Sequence, residues 1–363
     1  MKNNLLHYGS ALNNYKPYIA MLLTQLVYAG MALFSKAAIS KGMNPFVFVV
    51  YRQAFAFVAL APLALFLDRK KAPPLSNKLL CKIFVVSLCG LTLSLNLYYI
   101  AINYTTATFA AATTNTIPAI TFLMAVLFRM EFVSIKHKHG IAKVLGSVIG
   151  VSGALVFAFV KGPALKFMAW YQPNSDHHNQ ESSIKGCCSR DWIKGSLLMI
   201  TANILWSLWL VLQGPIVKEY PSKLRLTALQ CFFCCIQSAV WAIAVERNPT
   251  AWKLGWDVHL LAVAYCGIIV TGICYWVQVW TIEKKGPVFT SMFTPLALII
   301  TAIFSAFFWR ETLHWGSVGG AILMVGGLYG VLWGKNNEEG RNVKIEEPLN
   351  KEESITLECI THQ

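Results

Sequence analysis

The chain alternates long apolar runs with short polar gaps. Ten of the runs are long enough to cross a bilayer as helices, which takes about 20 residues each. They lie at 18–38, 46–67, 79–101, 106–128, 139–160, 194–214, 225–245, 259–281, 287–308 and 316–334. This pattern predicts an all-α polytopic membrane protein with ten transmembrane helices.

Polar segments divide the ten runs into two groups of five. Residues 1–17 form a short N-terminal segment, and a polar linker at 161–193 separates a first five-helix unit, 18–160, from a second, 194–334. The tail, 335–363, is acidic, with few apolar residues and no periodicity, so we predict that it is disordered.

Composition supports a membrane protein and argues against nucleic-acid binding. Of the 363 residues, 56% are hydrophobic and 13% charged, and the mean hydropathy is +0.51. Soluble domains of ordinary composition are about one quarter charged. The net charge of +14 comes from Lys and Arg in the gaps between apolar runs, whereas a nucleic-acid surface needs them on one solvated face. The lipid bilayer is therefore the expected partner.

The distribution of Lys and Arg predicts the orientation in the membrane. Basic residues are enriched in cytoplasmic loops. A cytoplasmic N-terminus places 20 of the 31 basic residues on the cytoplasmic side and 10 on the other, with Arg52 inside a span. Both termini are therefore predicted to be cytoplasmic and the linker extracytoplasmic. We expect the plasma membrane, with the vacuolar membrane as the alternative.

The two units are related by an internal repeat. A shift of 177 residues, changing to 180 within the ninth span, superposes matching residues in order along the chain. The matched pairs are Lys41/Lys218, Gln53/Gln230, Tyr98/Tyr275, Pro118/Pro295, Glu131/Glu311, Gly140/Gly320, Gly146/Gly326 and Gly150/Gly330. Ordered matches at one spacing indicate duplication. Because five is odd, the second unit enters from the opposite side, and such inverted repeats are typical of carriers that work by alternating access.

Four stretches carry a resemblance to a known family. They are GMNPFVFVVYRQA (42–54), NLYYIAINYTTATFAAATTNTIPAITF (96–122), KGPVFTSMFTPL (285–296) and GGLYGVLWGK (326–335). These stretches resemble the plant nodulin-like transporters. That family is also called "walls are thin"-related or "usually multiple acids move in and out", and it belongs to the EamA-type drug/metabolite transporter superfamily. The resemblance implies ten helices in two repeats and bidirectional movement of amino acids, with auxin as substrate in at least one branch.

Two prolines mark the fourth and ninth spans. Pro118 and Pro295 have no N–H for the carbonyl four residues earlier, which frees the carbonyls of Thr114 and Ser291. In hydrocarbon such groups must face protein or water. We expect helix kinks beside a cavity, and the alternative is a structural bend satisfied by neighbouring Ser and Thr side chains.

Polar and aromatic residues within the spans are the candidate substrate-binding residues. Their amides and hydroxyls suit a carboxylate, while aromatic faces and freed carbonyls suit an ammonium group. The candidates are Gln25, Arg52, Asn96, Tyr99, Thr114, Asn115, Trp206, Tyr275, Gln278 and Thr290. Each alternatively serves as an interhelical contact. Arg52 is the strongest candidate, since a cation in a span usually faces a cavity or a partner; snorkelling and an internal pair are its alternatives.

Missing residue types limit the function classes. All 17 acidic residues lie at span ends, in loops or in the tail, and none of the eight histidines is mid-span. This favours facilitated transport over proton coupling. There is no Walker loop and no His-Glu-x-x-His motif, so an enzyme is not expected, and a channel or sensor would not need inverted repeats. Most of the ten cysteines lie in apolar runs, and no metal or cofactor is expected.

Glycines and glutamates near the span ends have structural interpretations. Gly-x-x-x-Gly spacings in the fifth and tenth spans permit close helix packing, either within the chain or along a homodimer seam. Glu131 and Glu311 follow the fourth and ninth spans beside Arg129 and Arg310. Local ion pairs are the expected arrangement there.

Overall fold

The computed structural model describes residues 2–67, 75–105, 107–131, 137–160, 189–308 and 315–361. Within these ranges the chain is helical, with short turns and no β-strand. Most of the predicted linker at 161–193, with Cys187 and Cys188, and also Glu311 lie outside the described residues.

The described part of the first unit contains seven α-helices. They are α1 (Lys2–Ser40), α2 (Pro45–Leu67), α3 (Asn77–Val86), α4 (Ser94–Tyr104), α5 (Ala107–Thr114), α6 (Ile117–Leu127) and α7 (Lys138–Phe159). A π-helical segment, Ser87–Leu93, joins α3 to α4 without a break. The pair α3 and α4 therefore forms one membrane span.

The second unit repeats this order. Its helices are α8 (Ser189–Glu219), α9 (Lys223–Val245), α10 (Val258–Ala264), α11 (Tyr275–Met292), α12 (Thr294–Phe308) and α13 (Trp315–Thr361). A 3-10 turn, Pro249–Trp252, follows α9. A second π-helical segment, Tyr265–Cys274, joins α10 to α11.

The described residues contain eight helices that are long and apolar enough to cross a membrane, and two shorter apolar helices. The shorter ones, 117–127 and 294–304, belong to the fourth and ninth spans. Together these elements account for ten spans, as the sequence predicts. Each of the two short helices has a proline as its second residue, a position that proline favours because its missing N–H is not needed in the first turn of a helix.

The duplication is visible in the helix pattern. Each unit has a π segment in its third span and a proline break in its fourth, and α2 and α9 are each 23 residues long. The second span packs against the seventh and the fifth against the tenth. Equivalent helices thus pair across the boundary between units, as expected for two copies related by a two-fold axis.

Glycines hold α7 against α13. A Cβ on Gly146 would lie 2.7 Å from the Gly327 carbonyl oxygen, and one on Gly153 would lie 2.9 Å from the Gly320 carbonyl oxygen. Neither position accepts a side chain without moving the partner helix. The predicted close packing therefore occurs within the chain. Gly150 and Gly326 face open space, so a homodimer seam on that side stays a prediction.

The two ends of the bundle are held by different contacts. At the end named here the Asn44 end, the Asn44 amide donates to Glu246 Oε2 at 2.7 Å, which ties the start of α2 to the end of α9. At the opposite Glu131 end, Lys143 lies 3.1 Å from Glu131 Oε2 and also pairs with Glu338. Lys335 completes the cluster by pairing with Glu131.

The ion pair of Glu131 therefore differs from the expected one. Arg129 is exposed, has a left-handed backbone with φ of 56° and does not pair with Glu131. The partners are Lys143 of α7, 12 residues away, and Lys335 of α13, 204 residues away. Burial alone would raise the pKa of the Glu131 carboxyl, but the charges of Lys335 and Lys143 outweigh it and hold the pKa below its usual range.

The helix α13 continues beyond the tenth span. It runs to Thr361, and disorder of the acidic tail in solution stays a prediction. Lys335 and Glu338 contribute to the charged cluster, so the first turns beyond the span are anchored to the bundle. Once such contacts fix the first turns, each further residue that joins the helix adds one backbone hydrogen bond.

Candidate functional site

A cavity of about 310 Å³ lies between the two units. Its walls come from α1, α2, α4, α5 and α6 of the first unit and from α8, α11 and α12 of the second. Small-ligand pockets begin at about this size. Binding at an interface between repeats is also where carriers place their substrates.

Seven of the ten candidate substrate-binding residues line this cavity. They are Gln25, Arg52, Tyr99, Thr114, Asn115, Trp206 and Gln278. They come from six different helices and the turn after α5, so their convergence is a product of the fold. This convergence is what separates a binding site from isolated interhelical contacts.

Three candidate residues do not line the cavity. Asn96 is fully buried on another face of α4, about 100° from Leu95, and donates to the Thr92 carbonyl at 2.8 Å. Thr290 lies one turn before the cavity and bonds the Gly286 carbonyl. Tyr275 sits behind Arg52 and packs against aromatic rings of α8.

Arg52 is held at the cavity by two hydroxyl groups. Its Nε donates to Thr271 Oγ1 at 2.5 Å, and its Nη2 donates to the Tyr275 hydroxyl at 3.0 Å. The guanidinium carbon also lies 5.9 Å from the centre of the Tyr275 ring. Because a guanidinium carries five N–H donors, three donors remain beyond these two bonds.

Among the described residues, no carboxylate pairs with Arg52 to compensate its charge. None of the residues that line the cavity is Asp or Glu, and the side chain of Arg52 is 3% exposed. A buried cation is costly unless it is paired. Within the described residues the site is therefore electropositive and is complementary to an anion.

The second π segment positions the partners of Arg52. Thr271 donates its hydroxyl to the Cys266 carbonyl, five residues earlier, at 3.0 Å, which matches the wider turn of a π-helix. Gly267 allows α2 to approach, since a Cβ there would lie 2.8 Å from the Arg52 carbonyl oxygen. Sequence reasoning identified Arg52 but gave no indication of this π segment.

Further polar residues line the cavity without having been singled out as candidates. Tyr28, Ser94 and Asn203 are the clearest. Tyr28 lies three residues after Gln25, and Asn203 three before Trp206, so each shares a helix face with a candidate residue. This three-residue spacing is the sequence signal from which Tyr28 and Asn203 could have been predicted. Asn203 Nδ2 is buried and has no hydrogen-bond partner among the described residues.

The proline positions produce complete helix breaks at the cavity. Pro118 is the second residue of α6 and Pro295 the second of α12. Residues beside both breaks line the cavity, namely Thr114, Asn115 and Thr294. A further break was missed: Gly286, with φ of 86°, interrupts α11 before Pro287. Irregular backbone thus occurs where it borders a cavity or a polar cluster, as hydrocarbon requires.

The cavity lies nearer the Asn44 end than the Glu131 end. Arg52 is seven residues from the start of α2, about 10 Å along its axis. Toward the Glu131 end, the Phe289 ring packs at 5.0 Å from Tyr18 and 5.2 Å from Phe293. These aromatic contacts lie between the cavity and the cluster around Glu131.

Comparison with known proteins identifies the family. A model of the EamA-like transporter family matches residues 15–153 and 193–333. The chain belongs to the EamA-like transporter family. It is therefore a multi-pass membrane transporter, and the two matched segments correspond to the two five-helix units.

Relatives extend this assignment to plant transporters. One WAT1-related protein of Arabidopsis thaliana is 60% identical over 90% of this chain and 93% of its own length. Another is 51% identical over 94% of this chain and 96% of its own. A solved crystal structure superposes with a TM-score of 0.64 at 15% identity, covering 87% of this chain and 96% of that one. The last comparison concerns the fold alone.

Proposed function

We propose that this EamA-type transporter is a bidirectional facilitator of amino acids that works by alternating access. The substrate carboxylate binds Arg52 in the cavity between the units. The side-chain amides of Gln25, Asn115 and Gln278 donate its remaining hydrogen bonds.

One observation supports this proposal above the others, namely a buried arginine at a cavity without a carboxylate. Arg52 has hydroxyl partners, which leave its charge in place. An anionic substrate supplies the missing charge and at the same time uses the remaining N–H donors. A planar carboxylate fits a guanidinium in a two-point arrangement.

The ammonium group of an amino acid finds uncharged partners in this cavity. The rings of Tyr98, Tyr99 and Trp206 line it, and aromatic faces attract cations. The carboxylate thus binds at Arg52 and the ammonium at the aromatic wall.

The same observation favours a second candidate, an auxin-like aromatic monocarboxylate. Such an acid has no ammonium group, and no lining residue is acidic. The aromatic residues would then stack against the ring of the substrate.

Facilitation is supported by the same residues. The cavity is lined by hydroxyl, amide and aromatic groups with one arginine, and the lining includes no Asp, Glu or His. Arginine does not release its proton at physiological pH. A proton carrier normally has a titratable group at depth.

Transport in proteoliposomes tests the proposal. Uptake and efflux of a labelled amino-acid panel and of auxin are measured at pH 5.5 and 7.5. We expect saturable movement in both directions, without accumulation against a gradient. Accumulation driven by acid outside would contradict facilitation, and movement of auxin alone would select the second candidate. The matched variants are Arg52→Leu in the cavity and Arg247→Leu in an exposed loop.

Orientation and location are part of the proposal. We place both termini and the Glu131 end in the cytoplasm, in the plasma membrane rather than the vacuolar membrane. Impermeant labelling of Leu5→Cys and Lys344→Cys should occur from the same, cytoplasmic side. Labelling from opposite sides would contradict an even number of spans.

A further inference from the structure

The two units place the same chemistry in two environments. The 177-residue shift pairs hydroxyl residues of the third and fourth spans with those of the eighth and ninth. The pairs are Ser94/Thr271, Tyr98/Tyr275 and Thr114/Ser291. The first member of each pair lines the cavity, whereas the second is at most 1% exposed. Hydroxyl groups therefore also occur at the equivalent positions of the second unit, which do not line the present cavity.

Arg52 connects the two sets. It lines the cavity and donates to Thr271 and Tyr275. These two residues belong to the buried set, which consists of the second-unit members of the three pairs, whereas the first-unit members form the cavity set. The guanidinium thus lies on the boundary between them. Its counterpart in the second unit is Leu229, so one cation serves both sets.

Trp209 packs against Tyr275, one of the three buried counterparts. Its ring centre lies 5.3 Å from that of Tyr275, and its Nε1 is buried with no partner among the described residues. Its counterpart in the first unit is Ala32, which lines the cavity. Trp209 fills the space beside Tyr275, whereas the small side chain of Ala32 leaves space at the equivalent position of the first unit.

In a carrier built of inverted repeats, one repeat rocks against the other about the binding site, and the symmetry of the repeats lets each unit take up the conformation that its counterpart had before. The environment that now surrounds Ser94, Tyr98 and Thr114 then surrounds their counterparts. We propose that Thr271, Tyr275 and Ser291 form a second carboxylate subsite, now closed, which with Arg52 receives the substrate when the cavity faces the Glu131 end. This rests on the proposed carrier function. The Tyr275 hydroxyl and the guanidinium are the hydrogen-bond donors of this subsite.

Thiol labelling tests which side reaches each set. Ser291→Cys and Thr114→Cys are compared, with Ser238→Cys in α9 as a fully buried control outside both sets. An impermeant thiol reagent is added to either face of vesicles, and labelling is measured above that of the parent chain. Serine and threonine to cysteine changes are small, so folding should be retained.

The expected result is reciprocal labelling. Thr114→Cys reacts from the Asn44 side and Ser291→Cys from the Glu131 side, each at least fivefold faster than from the other side. Ser238→Cys reacts from neither. Ser291→Cys that reacts only from the Asn44 side, or from neither side in protein that still transports, would overturn the second subsite.

A transport measurement gives an independent readout. Thr114→Ala should raise the ratio of the KM at the Asn44 side to that at the Glu131 side about threefold, and Ser291→Ala should lower it by a similar factor. The ratio of the two Vmax values, one for each direction of transport, must change by the same factor. A facilitator has no energy source, so Vmax/KM must be equal in the two directions. Equal shifts in one direction would overturn the proposal. Reciprocal labelling without transport of any carboxylate would instead contradict the proposed function and leave the exchange of environments supported.

Discussion

Two buried cations of this chain, Arg52 and Lys143, have opposite surroundings. Lys143 is 1% exposed and pairs with Glu131 and Glu338, whereas Arg52 is 3% exposed and has only hydroxyl partners. Lys143 therefore has its countercharge within the fold and joins α7 to α13. Arg52 faces a cavity and has no countercharge among the described residues. The contrast teaches that the partner of a buried charge, rather than its burial, separates a structural role from a binding role.

The largest expected effect separates these two cations directly. Arg52→Leu should lower transport per inserted protein about 100-fold, since a charged hydrogen-bonding group is lost from the site, with little change in thermal stability. Lys143→Met should lower the melting temperature in detergent and leave transport per folded protein near that of the wild type. Arg52→Leu that transports normally would contradict a role for Arg52 in binding.

The close packing of α7 against α13 at their glycines tests the structural side of this comparison. Gly327→Ala places a methyl group 2.5 Å from the Gly150 nitrogen and should destabilise the α7–α13 pair by about 2 kcal/mol. The adjacent Gly326→Ala meets nothing within 4 Å and serves as the matched control. Thermal unfolding of both variants measures the difference. If Gly326→Ala instead disrupted an oligomer, the homodimer seam would lie on that face.

Removing one anion from the charged cluster tests its structural role. Glu131→Gln leaves Lys335 and Lys143 without their shared carboxylate and should cost about 1–2 kcal/mol. The melting temperature should fall by several degrees while the KM stays unchanged. A large change in KM with unchanged stability would place Glu131 in the transport mechanism instead.

A smaller effect is expected from an uncharged cavity residue. Asn115→Ala removes an amide that lines the cavity and should raise the KM about fivefold, as expected for one neutral hydrogen bond. Thr227→Ala, a fully buried change on α9 outside the cavity, is the control. Equal effects of the two variants on KM would indicate a general packing defect rather than lost binding.

The smallest expected effect is a pH dependence of stability. The pKa of Glu131 is held below its usual range. Its contribution is therefore complete above the ordinary glutamate pKa and is lost as the pH falls through the lower folded value. Between about pH 5 and 3 the wild type should lose more thermal stability than Glu131→Gln. Parallel curves for the two proteins would contradict this.

Much of the fold could be predicted because hydrophobic runs and repeats are local patterns. The ten spans, the two units and the breaks at Pro118 and Pro295 follow from residue order alone. The π segments could not be found, since their extra residue per turn leaves no mark on an apolar run. The break at Gly286 has a sequence signal, the Gly286-Pro287 pair. That pair lies in the family stretch 285–296, and no helix break was predicted from it.

The candidate site was predictable only as a set of polar residues within spans. Arg52, Gln25 and Gln278 stand out because apolar neighbours surround them. Helix packing decides which face of α4 borders the cavity, and the sequence does not show this. The candidate substrate-binding residues therefore included Asn96 but not Ser94. The ion pairs of Glu131 depend on α13, about 200 residues away, and sequence spacing favoured Arg129 instead.

Counterflow in proteoliposomes tests the central claim, a carboxylate carrier centred on Arg52, most directly. Vesicles are preloaded with an unlabelled amino acid, and entry of the labelled form is followed with wild-type protein and Arg52→Leu. The predicted result is saturable entry that internal substrate accelerates, and its loss in Arg52→Leu. Entry that rises linearly with concentration, ignores internal substrate and persists without Arg52 would contradict it.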